Sequence, residues 1–141
     1  MKRALPIIIF FGVAFAVLLF LTYYEPPKRD VLDEGIWKVV DLKESSLVEG
    51  TTLTIRFHDG NVKGSSGCNT FSGRYEVQKE SITISALNLT TDNCMKPGIM
   101  DQERTFTNFL ANVDSFVVTK DELTLTAKDD SLVKFISMLN E

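Results

Sequence analysis

The chain has 141 residues, of which 15 are lysine or arginine and 19 are aspartate or glutamate. Once an apolar N-terminus is set aside, this length leaves room for one small domain with one hydrophobic core. Removing Lys2 and Arg3 from the 15 basic residues leaves 13 against 19 acidic ones, a formal charge of −6. Such a domain is a poor partner for nucleic acid, whose binding depends on neutralising phosphates, and it gains nothing from anionic lipid headgroups.

The N-terminal segment Ala4–Tyr24 contains no charged residue. About 20 helical residues at about 1.5 Å each cover the roughly 30 Å of hydrocarbon in a bilayer. Basic residues precede the segment and two tyrosines end it, which is the pattern of an anchor whose positive end stays in the cytoplasm. We therefore expect a cytoplasmic tip at 1–3, a transmembrane anchor at 4–24 and a single-pass protein of the bacterial inner membrane with its C-terminal domain in the periplasm.

A cleaved signal peptide is the alternative interpretation of this segment. The apolar region is long for a signal peptide, however, and 22–25 offers no small residues at the positions that signal peptidase requires. Acylation of the N-terminus would need a cysteine directly after the apolar run, whereas the first cysteine is Cys68. Residues 25–33, which include Pro26 and Pro27, predict a short stiff linker.

The rest of the chain, 34–137, has the pattern of many short strands. In Thr52–Phe57, apolar and polar residues alternate with the period of two that a half-buried strand requires. His58–Asn61 follows with the Asp-Gly chemistry of a tight hairpin turn. The predicted strands are 36–40, 52–57, one that begins at Val62, 72–77, 81–84, 115–119, 122–127 and 131–136. Short strands with short turns predict an antiparallel sheet or barrel.

One segment, 97–113, departs from the strand pattern. Its apolar residues recur at helical spacing, Pro97 stands where the first turn lacks a backbone hydrogen-bond partner, and Asp101 and Glu103 lie near the positive end of the helix dipole. This pattern predicts one amphipathic helix that packs on the sheet through Phe106 and its apolar neighbours.

The segment Gly64–Tyr75 has the pattern Gly-x-x-Gly-Cys-Asn-x-Phe-x-Gly-x-Tyr, and a second cysteine, Cys94, follows shortly before the helix. Together with Trp37 upstream, this order and spacing resemble the META domain, also called the HslJ-like family, over about 34–137. The resemblance implies a mainly β fold, a small antiparallel lipocalin-like barrel with one packed helix, here preceded by a transmembrane helix in place of the lipoprotein signal common among relatives. It implies no catalytic residues.

Cys68 and Cys94 are the two cysteines of the chain. In a domain that faces an oxidising compartment, we expect them to form a disulfide, whose loop closure is worth on the order of 3.5 kcal/mol. Two buried free thiols are the alternative, since sequence spacing does not show that the Cβ atoms meet.

The sequence predicts no catalytic site, no cofactor and no metal site. His58 is the only histidine, and its place at a hairpin turn argues against a catalytic triad. One histidine and two oxidised cysteines do not make a standard zinc site. Gly64–Gly67 lacks the Lys-Ser or Lys-Thr that completes a phosphate loop.

The resulting hypothesis is a non-enzymatic, membrane-anchored module that acts through an envelope protein partner in stress tolerance or envelope maintenance. The alternative is a small-molecule carrier or sensor that uses the interior of a lipocalin-like barrel. The large inward side chains expected in a domain of this size favour a filled interior.

Overall fold

The computed structural model describes residues 32–33, 35–42 and 47–138. The expected cytoplasmic tip, the expected anchor and nearly all of the expected linker lie outside these residues. Within the described ranges, no helix is both long enough and apolar enough to cross a membrane.

Eight strands form a closed antiparallel barrel in chain order, and the first strand pairs with the last. A helix, α1, connects the fifth strand to the sixth. The barrel and its single described helix confirm the predicted fold class. The elements are β1 (Ile36–Leu42), β2 (Leu53–His58), β3 (Asn61–Ser66), β4 (Thr70–Gln78), β5 (Ser81–Leu89), α1 (Ile99–Ala111), β6 (Val113–Val118), β7 (Glu122–Ala127) and β8 (Leu132–Ser137).

The β2–β3 hairpin closes through the turn that the sequence predicts. Asp59 and Gly60 have φ angles of 47° and 72°, which is the left-handed conformation that both central residues of a type I′ turn require. His58 therefore ends β2 and is paired with Asn61, the first residue of β3.

Alternation along the strands directs one set of side chains into the barrel. Phe57 and Tyr75 meet edge to face inside it, with ring centroids 4.9 Å apart. Trp37 is also buried, at 2% exposure. The other strand residues of the core are Val39, Leu42, Leu53, Ile55, Val62, Phe71, Ile82, Ile84, Val113, Phe116, Leu123, Leu125, Ala127, Val133 and Phe135.

Helix α1 covers the end of the barrel where β2 begins, β3 ends and β4 begins; we call this the capped end. The Phe106 ring lies 5.9 Å from the ring of Phe71 and 6.3 Å from that of Phe135, both of which point into the barrel. The helix also contacts β5, which registers with β6 only at Ser81 and Ser115. Phe106 therefore closes one mouth of the barrel with an aromatic side chain.

The helix begins later than the sequence suggests. Pro97 lies outside it, and Gly98, with φ of 82°, occupies the N-cap before Ile99. No side chain caps this end. The positive φ at Gly98 stops the helix from extending back to the proline.

Candidate functional site

The family motif and the second cysteine come together at the capped end of the barrel. Cys68, in the β3–β4 loop, is bonded to Cys94, in the loop before α1, with an Sγ–Sγ distance of 1.97 Å and a Cα–Cα distance of 5.9 Å. Since neither cysteine belongs to a strand or a helix, this covalent link joins two loops directly to each other.

Asn69 is the polar centre of this end and is only 2% exposed. Its Oδ1 accepts hydrogen bonds from the backbone N–H of Asp92, at 2.7 Å, and from Thr90 Oγ1, at 2.8 Å. Its Nδ2 donates to the Asp92 carbonyl at 3.1 Å and to Glu103 Oε1 at 2.9 Å. One side chain thus joins the β3–β4 loop, the segment after β5 and the helix.

Glu103 provides the acceptors for the β3–β4 loop. Its Oε2 accepts from the Asn69 backbone N–H at 2.9 Å and lies within hydrogen-bonding distance of Ser66 Oγ. Glu103 is 6% exposed and Ser66 is 0% exposed. A hydroxyl beside a carboxyl group is the pairing of a nucleophile with a base, but complete burial of Ser66 keeps any substrate away from it, so the contact stabilises the fold.

Gln102 makes a parallel connection from the preceding position of the helix. Its Oε1 accepts from the Val48 backbone N–H at 2.6 Å and its Nε2 donates to Thr51 Oγ1 at 3.0 Å. Gly67, with φ of 99°, lies beneath this side chain, and a Cβ there would approach Gln102 Nε2 to 2.9 Å. The helix is therefore attached by polar bonds to the β1–β2 loop and the β3–β4 loop, as well as by Phe106 to the core.

The two positions at the start of the motif require glycine for different structural reasons. Gly67 has the positive φ angle that backbone bending requires. At Gly64, by contrast, a Cβ would overlap the Thr54 carbonyl oxygen and lie 2.6 Å from the Phe71 ring. Gly64 is needed because the Phe71 ring packs directly on the β3 backbone.

His58 is exposed at the opposite end of the barrel. Its Nδ1 lies 2.8 Å from Asp33 Oδ1 and its Nε2 lies 3.4 Å from Asp59 Oδ2. The three side chains offer oxygen and nitrogen atoms within 4.8 Å of one another, which is a possible metal-ligand set. Asp33 is hydrogen-bonded to Nδ1 and Asp59 lies near the other ring nitrogen, so the two carboxyl groups do not converge on one nitrogen of His58.

Two cavities open on the outer surface of the barrel. One, of about 520 Å³, lies between α1 and the β7–β8 turn and is lined by Asn108, Phe109, Lys128 and Leu132, among others. Another, of about 560 Å³, crosses β3, β4 and β5. Phe71 lines the second cavity, but neither cavity is lined by Phe57, Tyr75 or Phe106, so these cavities are surface grooves and not a lipocalin-like ligand chamber.

The sequence analysis identified the cysteines of this region and assigned Glu103 to the start of the helix, but it missed the buried hydrogen bonds of Glu103 and Gln102. Asp101 and Glu103 are both acidic residues of the first helical turns, yet the side chain of Asp101 is 81% exposed and Glu103 is buried. A signal was present in the helical spacing, since Gln102 and Glu103 lie four and three residues before the apolar Phe106, on the side of the helix that it occupies.

Comparisons with known proteins agree with this architecture. The NMR structure of a protein from Burkholderia xenovorans superposes with a TM-score of 0.66 at 19% identity and covers 82% of this chain and 95% of that one. A duf4847 family protein from Bacteroides vulgatus gives a TM-score of 0.54 at 17% identity, covering 75% and 94%. At these identities the likeness shows the fold alone.

A search of curated proteins returns no match. Residues 30–138, however, match the META domain, a span that contains the whole barrel and its helix. The chain belongs to the META domain family.

Proposed function

We propose that this chain is a membrane-anchored, extracytoplasmic binding module that acts through contacts with an envelope protein and catalyses no reaction. The filled barrel supports this proposal most directly. Phe57 and Tyr75 occupy the interior, and Phe106 packs against Phe71 and Phe135 at the capped end. A domain filled in this way binds its partners on the outside.

The polar network of the capped end supports a rigid scaffold and not a reactive centre. Glu103 and Asn69 are buried and bonded to each other, and the disulfide joins the β3–β4 loop to the loop before α1. Buried, fully bonded polar groups rigidify a fold and fix one arrangement of it. The disulfide also fits an oxidising compartment such as the periplasm. The apolar segment 4–24 provides the reason for a bilayer anchor.

A small-molecule carrier is the second candidate, and one observation favours it. The groove between α1 and the β7–β8 turn, of about 520 Å³, has the size of a ligand pocket, for which about 300–1,000 Å³ is typical. A carrier would therefore use this groove and not the barrel interior.

Site-specific photo-crosslinking of the full-length chain in its native membranes tests the proposal. A photoreactive residue is placed at the outward positions Ser72, Met95 and Val117, one on each of three surfaces, with buried Ile82 as the matched control. We expect a discrete protein adduct from at least one outward position and none from Ile82. Adducts at no position, together with a small molecule retained reproducibly in native mass spectrometry of the full chain, would replace the proposal with the carrier.

A further inference from the structure

Three cations face outward from three neighbouring strands and form what we call the basic face: Arg56 on β2, Lys63 on β3 and Arg74 on β4. All three are exposed. Arg56 and Lys63 are direct cross-strand partners. Arg74 pairs with Asn61, which places it diagonally across from Lys63, two residues further along the strand.

Within the described part of the chain, no neighbouring carboxylate forms an ion pair with the cations of this face. Among the ion pairs formed by described residues, none includes Arg56, Lys63 or Arg74. The nearby acids Asp33 and Asp59 are instead engaged with His58. Like charges directly opposite each other on a sheet destabilise it. The Arg56–Lys63 pair therefore costs stability in the isolated domain, and a bound anion would remove that cost.

Two depressions flank Lys63 on this surface. The first, of about 360 Å³, is lined by Arg56, His58, Asn61 and Lys63. The second is the groove of about 560 Å³ across β3, β4 and β5, and it contains Ser72 and the partly exposed Leu89. An occupant of the basic face thus meets cations on one side of Lys63, with hydroxyl and apolar groups on the other.

We propose that the basic face binds an extended acidic segment of a protein partner, with acidic residues at alternate positions. In an extended chain, alternate side chains on one side are about 6.6 Å apart. Diagonal neighbours on a sheet, the relation between Lys63 and Arg74, are separated by about 7–8 Å. Two carboxylates of one segment therefore match two cations of this face.

The distribution of charge favours a short acidic segment over an extended anionic surface. The barrel end next to the basic face carries Asp33, Asp59, Glu80 and Asp121, and the chain outside the expected anchor has a formal charge of −6. An anionic bilayer that approached the cations would also come close to this acidic end and would be repelled by it. A short segment can contact the cations without crossing this acidic end, and Glu76, exposed two residues beyond Arg74, is the acid that lies along the same side of β4.

The strand order also limits how the segment can bind. β2, β3 and β4 are each hydrogen-bonded to a neighbour on both sides. The segment cannot join the sheet as an additional strand here, so side chains must recognise it. Arginine is suited to this task because its planar guanidinium group binds a carboxylate through two hydrogen bonds.

This inference rests on the proposed function, since it names the chemistry of the protein partner. The test measures binding of a fluorescent peptide of alternating glutamate and serine to the full-length chain in neutral detergent micelles. A peptide of alternating glutamine and serine is the control for charge. We expect only the glutamate peptide to bind, and raising salt from about 0.1 M to about 1 M, which shortens the Debye length from about 10 Å to about 3 Å, to abolish binding.

Two triple variants with the same change in charge locate the site. Arg56→Gln/Lys63→Gln/Arg74→Gln removes the basic face, and Lys120→Gln/Lys128→Gln/Lys134→Gln removes three cations elsewhere. We expect each single substitution in the basic face to weaken binding about two- to fivefold and the triple variant to weaken it at least about tenfold, since an exposed charge pair contributes about 0.2–1 kcal/mol. The matched triple variant should bind the peptide like the parent chain.

Several outcomes would overturn the inference. These are no binding of the glutamate peptide, an equal loss in both triple variants, or displacement of the peptide by inorganic phosphate or by nanodiscs of anionic lipid more readily than by unlabelled peptide. The last outcome would assign the face to phosphate groups. Crosslinks from Met95 or Val117 that persist in the basic-face triple variant would leave the proposed function intact while the inference fails.

Discussion

Replacing Glu103 by alanine tests whether the polar network holds the capped end together. The change removes the acceptor of the Asn69 backbone N–H and of one hydrogen of Asn69 Nδ2. Asn69 is 2% exposed, so these donors do not readily regain a partner from bulk water. A buried donor left without a partner costs about 1–3 kcal/mol, and two of them predict a loss of about 3 kcal/mol in the free energy of unfolding.

Urea unfolding of the full-length chain in detergent, followed by the fluorescence of its single tryptophan, Trp37, measures this loss. With a slope of about 1–3 kcal/mol per M, the midpoint should fall by about 1–3 M. Glu103→Gln keeps one oxygen acceptor but points an amide at Asn69 Nδ2, and it should lose about 1–2 kcal/mol. Asp101→Ala, on the exposed side of the helix, should lose less than about 1 kcal/mol. Equal midpoints for Glu103→Ala and Asp101→Ala would refute the structural role of Glu103.

Three further changes test other parts of the fold by the same assay. Cys68→Ser/Cys94→Ser opens a loop of 26 residues and should lose about 3.5 kcal/mol by the chain-entropy relation; an unchanged midpoint under oxidising conditions would show that the disulfide does not form. Gly64→Ala places a methyl group against the Thr54 carbonyl and should cost about 1–3 kcal/mol or more, and a neutral effect would contradict the close packing of Phe71 on β3. Phe106→Ala should cost about 3–5 kcal/mol, whereas a loss below about 1 kcal/mol would show that the helix does not plug the barrel.

The strands were predictable because a barrel with one hydrophobic interior imposes a period of two on each of them. Leu53, Ile55 and Phe57 alternate in the sequence and are buried in the structure, and the predicted β7 at 122–127 has the observed bounds. The Asp59–Gly60 turn was predictable for a separate reason, since few residue pairs adopt two consecutive positive φ angles. Local chemistry therefore determines most of this fold.

The polar network could not be predicted in the same way because it joins residues far apart in the sequence. Glu103 and Asn69 are 34 positions apart, and although helical spacing places Glu103 on the side of Phe106, nothing local identifies Asn69 as its partner. An acidic residue in the first turns of a helix is ordinarily explained by the helix dipole. Only the placement of α1 over the barrel mouth shows that Glu103 faces the β3–β4 loop.

Only part of the basic face could be predicted from the sequence. A two-residue turn fixes the register of its hairpin, so Arg56, two positions before His58, must face Lys63, two positions after Asn61. The position of Arg74 follows instead from the β3–β4 loop, whose shape depends on Gly67, Asn69 and the disulfide. The loop that fixes Arg74 beside Lys63 is thus the one that the buried network of Glu103 holds. The family motif and the proposed binding face are therefore physically coupled. Weakening the polar network of Glu103 and Asn69 should weaken binding of the acidic peptide, even though neither residue belongs to the basic face.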